Sequence, residues 1–127
     1  MLRQAANFTV VVVRDDWLLG VVAVQEVHRM LYQLFAEANK PQPPTGPKQY
    51  SFKLNAEQRR LLESLPVPQP TAGSVLAART AALGLFLDRA PNIAKEHGAT
   101  WPDELAKAVL SYLSRHGLGV LAPAPCA

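Results

Sequence analysis

Apolar residues recur at helical spacing through the first third of the chain. Val24, Val27, Leu31, Leu34, Phe35 and Ala38 fall on one stripe, and Gln25, Glu26, Arg29, Gln33 and Glu37 lie off it. The pattern predicts one long helix over residues 17–39. Asp15 or Asp16 is placed to cap its start, accepting from unpaired backbone N–H groups, and Asn39 followed by Pro41 stops it. From Trp17 to Val24 the pattern changes. These residues are apolar on every side, with Gly20 as the only small break. A helix end of that kind is expected to be buried all round, so something must cover the side that turns polar after Gln25.

The preceding run FTVVVV, residues 8–13, is β-branched and aromatic and predicts a strand. No second strand is evident, so it would be an orphan with unpaired backbone groups. Residues 40–54 hold four prolines and predict a long loop. Asn55, with Gln58 three positions on, predicts a capping box for a short helix carrying Leu54, Leu61, Leu62 and Leu65. Thr71 or Ser74 starts a third helix with the stripe Val75, Ala82, Leu83, Phe86, Ala90, Ile93 and Ala94. Pro91 is expected to kink it near Leu87, and Gly98 closes it. A last helix follows Thr100-Trp101-Pro102-Asp103-Glu104, with Trp101, Leu105, Ala108, Val109, Tyr112 and Leu113 on one side and Gly117 at its end. The expected fold is all-α: a four- to five-helix up-and-down bundle with one short N-terminal orphan strand. Residues 1–16 form a remnant strand and lead-in, 17–119 the bundle domain, and 120–127 a disordered tail.

Composition narrows the classes. The chain has 127 residues, 49% of them hydrophobic, enough for a core of its own. Only 18% are charged, below the usual quarter, as expected of a surface partly covered by a partner. The net charge of +3 comes from scattered residues and makes no basic stripe, so nucleic-acid binding is not expected. A single cysteine, Cys126, allows neither an internal disulfide nor a cysteine metal site and fits a cytoplasmic protein. The apolar run at residues 8–13 is too short to span a membrane, and no membrane partner is expected.

Motifs for phosphate, nucleophile or metal chemistry are missing from the sequence. His28, His97 and His116 share no metal-ligand spacing and are read as an edge residue and two helix C-terminal caps. Glu26 is the candidate catalytic residue. It falls at the margin of the over-apolar helix end, where a carboxylate can serve as a general base, and is weighed against a surface ion pair with Arg29 at i,i+3. Arg79 lies within the apolar stripe of the third helix. A charge there must snorkel, pair or meet an anion, and snorkelling is expected. In the long loop Lys48, Tyr50 and Lys53 set two cations about an aromatic, which suits an anionic or nucleotide ligand or merely a solvated loop. With Arg79 they are the candidate substrate-binding residues.

The stretch G-P-K-Q-Y-S-F-K-L-N-A-E-Q-R-R-L-L-E-S-L-P, residues 46–66, resembles part of the C-terminal helical domain of aminoglycoside-type nucleotidyltransferases. There a G-x-K-x-aromatic segment leads into a K-L-x-x-E-x-R-x-x-L-x-x-L-P helix. The W-P-x-x-L pattern at Trp101–Leu105 and a helix ending in Leu-Gly are similar too. The resemblance implies the acceptor-binding domain of such an enzyme. The family's carboxylates bind Mg²⁺ and act on the NTP from a preceding G-S-x-x-x-G-x-x-D-x-D domain, which this sequence lacks. The chain alone is then expected to be inactive, without cofactor or metal of its own, and to partner a nucleotidyltransferase catalytic domain. Some members supply a glutamate from the first helix after the nucleotide domain, and Glu26 is the matching type. A related helical fold occurs in HEPN domains, but Arg89 and His97 stand too far apart for the signature of their ribonuclease members. The alternative is a stand-alone helical interaction module or antitoxin-like partner that self-associates through residues 8–24, with Val11, Val13, Leu18 and Val22 at the contact.

Overall fold

The computed structural model describes residues 2–39 and 54–118. Lys48, Tyr50, Lys53, the proline-rich loop that holds them apart from Leu54, and the expected tail at 120–127 lie outside these residues. Among the described residues six helices follow in order: α1 (Leu2–Asn7), α2 (Thr9–Arg14), α3 (Trp17–Ala38), α4 (Ala56–Glu63), α5 (Ala72–Glu96) and α6 (Asp103–Arg115). The fold is all-α, with no strand among the described residues. None of the described helices is long and apolar enough to cross a membrane.

The expected strand at residues 8–13 is corrected: Thr9–Arg14 is helical. Leu2, Ala5, Phe8 and Val11 are all buried in the core, and their three-residue spacing makes one helical stripe across α1 and α2. A valine in a helix costs a few tenths of a kcal/mol relative to alanine. Burying a valine or phenylalanine stabilises by about 1.5–3 kcal/mol, so packing overrides the β preference. The junction at Phe8 is tightened by i→i−3 bonds, Phe8 N to Ala5 O at 3.3 Å and Val11 N to Phe8 O at 3.0 Å.

Asp15 turns the chain between α2 and α3 with φ of 51°, in the left-handed region, and accepts the Trp17 indole N–H at 2.6 Å. Asp16 is the cap of α3, accepting from Leu19 N at 3.0 Å. Along α3 the expected stripe holds: Val24, Leu31 and Phe35 are buried, and Val27 and Leu34 are half-buried. The expectation that residues 17–24 are buried all round does not hold. Gly20 and Val24 are buried against α2 and α5, while Leu18 and Val22 are exposed.

Helices α3 and α5 form the principal pair. Gly20 meets Val75 near both N-terminal ends, and Leu34 and Ala38 share a surface with Ala90, Ile93 and Ala94 near both C-terminal ends, so the two run in the same direction. Helix α4 lies on the return between them. The expected capping box of Asn55 and Gln58 closes its start. Gln58 also exchanges two amide hydrogen bonds with Asn39, at 2.6 and 3.2 Å, which fixes α4 to the end of α3. Pro91 lies inside α5, which continues through it to Glu96. Helix α6 buries Ala106, Val109 and Leu113 and exposes Leu105 and Ala108, so its core face is turned from the one expected. Its neighbour α1, absent from the sequence-based picture, sets that face.

At the end of α6 Gly117 adopts φ of 71°. Gly117 N bonds Ser114 O at 3.1 Å and Leu118 N bonds Leu113 O at 2.8 Å, a Schellman closure. It returns Leu118 to the core beside Leu113 and turns the Leu118 carbonyl toward α5.

Candidate functional site

That carbonyl accepts from Arg79 Nη1 at 3.3 Å. Arg79 is only 4% exposed, so the expected snorkelling is corrected. Its position on α5 places the guanidinium between the Leu118 turn and α1–α2, where the Phe8 ring centroid is 5.2 Å from its central carbon. Nε and Nη2 are buried and have no hydrogen-bond partner, and no carboxylate pairs with the group among the described residues. Burial pushes its pKa below the usual arginine value. Beside it lies a cavity of about 30 Å³, lined by Gln4, Ala5, Phe8, Ala23, Val27, Arg79 and Leu83.

Glu26 stands on the outer side of α3 and is held by Arg29, which donates from Nε at 3.0 Å and again from Nη2. These hydrogen bonds hold the carboxyl below its ordinary pKa. A carboxylate so held is a weakened base. The i,i+3 ion pair weighed against a catalytic role in the sequence is therefore present. His28, one helical face away, is half-buried with Nε2 unpartnered, and burial lowers its pKa. His116 Nδ1 lies 2.8 Å from the Tyr112 carbonyl oxygen, a local closure of α6. Among the described residues no group of three or more His, Cys, Asp or Glu is placed to hold a metal ion.

A concavity lies between the C-terminal halves of α3 and α5 and the turn into α6. It has a volume of about 330 Å³, with Leu34, Phe86, Ile93 and Trp101 on its apolar walls and Glu37 and His97 among its polar lining. Trp101 is fixed by its ring contact with Phe86, 5.7 Å between centroids and tilted by 52°. The left-handed Gly98 and the bond from Ala99 N to Ala94 O, 2.8 Å, turn the chain so that Trp101 reaches this place. Neither Glu26 nor Arg79 lines this cleft. Sequence patterning assigned Trp101 to the core and missed Glu37 and His97 as neighbours. The available signal was that each ends a helix of the parallel α3–α5 pair.

A second feature is an apolar edge at the α2–α3 corner. Val13 is 82% exposed, Leu18 69% and Val22 56%. Val10 and Leu19 are exposed beside them in sequence. Val11, expected in the same contact set, is instead buried at 3%.

Comparison with known proteins yields no relative: no protein-family model matches the chain, and neither a curated protein nor a solved structure matches it.

Proposed function

We propose that this chain is a helical protein-interaction module that pairs with a second copy of itself across the α2–α3 corner. The observation that carries the proposal is the outward exposure of Val13, Leu18 and Val22. Leu18 and Val22 are one turn apart on α3, and α2, which bears Val13, packs against α3. Apolar surface left in water is unfavourable by roughly 25 cal/mol per Å², and clustered exposure of this kind marks an interaction surface. Charge at the corner suits a second copy as the occupant. Arg14 is exposed and unpaired among the described residues, and Asp15 and Asp16 follow it directly. A two-fold contact is self-complementary, so it can set Arg14 of each copy against the two aspartates of the other.

Light scattering on the wild type and on a Leu18→Glu/Val22→Glu variant tests this. The wild type is expected to be a dimer at tens of micromolar and the variant a monomer with unchanged helix content. A monomeric wild type at that concentration would sink the proposal. Arg14→Glu is expected to weaken the dimer by placing three acidic residues together on each side.

The Trp101 cleft favours a second reading, an acceptor-binding domain of the aminoglycoside-type nucleotidyltransferase kind. A concavity of this size with apolar walls and a few polar groups suits a small organic molecule. The aromatic wall of Phe86 and Trp101 suits one that carries a cationic group. On this reading Mg²⁺ and the NTP belong to a partner catalytic domain, and the isolated chain transfers no nucleotide. In a Trp17→Phe background Trp101 is the sole tryptophan. Its fluorescence is expected to change on titration with an aminoglycoside. Unchanged fluorescence through millimolar ligand would dispose of this reading.

A further inference from the structure

Arg79 presents a guanidinium that is neither exposed nor paired with a carboxylate, yet adjoins a small cavity. A buried charge of this kind needs compensation, and of the three resolutions open to it two are closed. Snorkelling is closed by its 4% exposure. Pairing is closed among the described residues, where the polar or aromatic groups that meet it are the Leu118 carbonyl and the Phe8 ring. Both are neutral, and they leave Nε and Nη2 without partners. Guanidinium does not deprotonate under ordinary conditions, so the charge stays.

We infer that the cavity between Arg79, Phe8 and Gln4 is a binding site for a compact monovalent anion of halide size, chloride being the natural occupant. The cavity of about 30 Å³ has room for one or two water-sized bodies, too little for a phosphate. Its walls are contributed by α1, α3 and α5 and by Phe8 at the α1–α2 junction. Ala5, Ala23, Val27 and Leu83 make most of those walls apolar, which strengthens the attraction between anion and guanidinium. Gln4 adds an amide that can donate at the rim. A water molecule in the cavity hydrates the guanidinium but leaves its charge; an anion offsets the charge. Because the walls come from three helices, the anion ties the N-terminal pair α1–α2 to the α3–α5 core.

The test compares melting of the full chain in sodium chloride, sodium bromide and sodium gluconate at equal ionic strength. Gluconate is too large to enter. Chloride and bromide are expected to raise the melting temperature over gluconate by roughly 4–8 °C once several-fold above the dissociation constant. Arg79→Met is expected to lose the difference between anions. Crystals grown in bromide are expected to show an anomalous peak within hydrogen-bond reach of Arg79 Nε and Nη2, an observation that stands even if the methionine variant fails to fold. Equal melting in all three salts, with a water or no density at the guanidinium, would overturn the inference. So would an anion effect that survives in a folded Arg79→Met protein.

Discussion

Gly20 of α3 approaches Val75 of α5 so closely that a Cβ at Gly20 would stand 2.7 Å from Val75 Cγ1. Val11 Cγ1, at 3.1 Å, closes the other side. Both neighbours are β-branched and stiff at χ1, so neither yields easily. Replacing a helical glycine by alanine ordinarily stabilises by about 1 kcal/mol, while overpacking costs about 1–3 kcal/mol. Gly20→Ala is therefore expected to destabilise the fold by up to about 2 kcal/mol in urea denaturation. Gly84→Ala is the control. A Cβ there meets nothing within 4 Å, and the helix-propensity gain of about 1 kcal/mol is expected undiminished.

Leu31 is completely buried at the centre of the α3 stripe. Leu31→Ala is expected to cost about 2–5 kcal/mol, the range for large-to-small changes in a packed core. An unchanged denaturation midpoint would remove Leu31 from the core.

His28 makes stability depend on pH. Its folded pKa is lowered by burial, whereas the unfolded chain protonates it near the ordinary value of about 6.5. Below that pH the unfolded state binds a proton that the folded state resists. The stability from neutral His28 is thus fully present above about pH 6.5 and is lost as pH falls toward the folded pKa. His28→Leu also removes the unpartnered Nε2. Its melting temperature is expected to fall less than that of wild type between pH 7 and pH 5, with no loss at neutral pH.

Gly117 carries the left-handed turn that sends Leu118 back into the core. A Cβ meets no obstacle there, so the cost of substitution is conformational. Gly117→Ala is expected to destabilise by about 1–2 kcal/mol, the usual penalty for an L-residue in that region. Gly117→Asn is expected to be milder, since asparagine enters the left-handed region more readily. Equal stability of glycine and alanine proteins in thermal melts would contradict the assigned turn.

The helices with long regular patterns were legible. The α3 stripe, the Asn55–Gln58 capping box, the Thr71 start of α5 and the glycine closures after α5 and α6 all follow from local chemistry that needs no knowledge of neighbours. The N-terminal segment was misread because the window opened at Phe8. Extended back to Leu2, the same apolar residues fall at intervals of three, Leu2, Ala5, Phe8 and Val11, and the helix becomes visible. The turned face of α6 followed from that omission, since α1 is the helix that packs on it. Arg79 was legible as an anomaly, a charge in an apolar stripe, but its resolution depends on Phe8 and Leu118, both remote in sequence. The Trp101 cleft was not legible, because it arises from the parallel alignment of two helices joined through a long connection.

The contact of α1 and α2 with α6 also dictates an order of events when the chain is made. Thr9 Oγ1 lies 3.2 Å from the Tyr112 hydroxyl, across 103 positions of sequence. Helices α3 and α5 can pair as soon as α5 has emerged from a ribosome, but the packing of α1 on α6 must wait for α6. Until then α1 is sheltered on one side only, by the core at Ala23, Val27 and Leu83. The interval lasts until α6 has been made, and chaperones that hold exposed apolar helices would meet α1 after α3 and α5 had already paired.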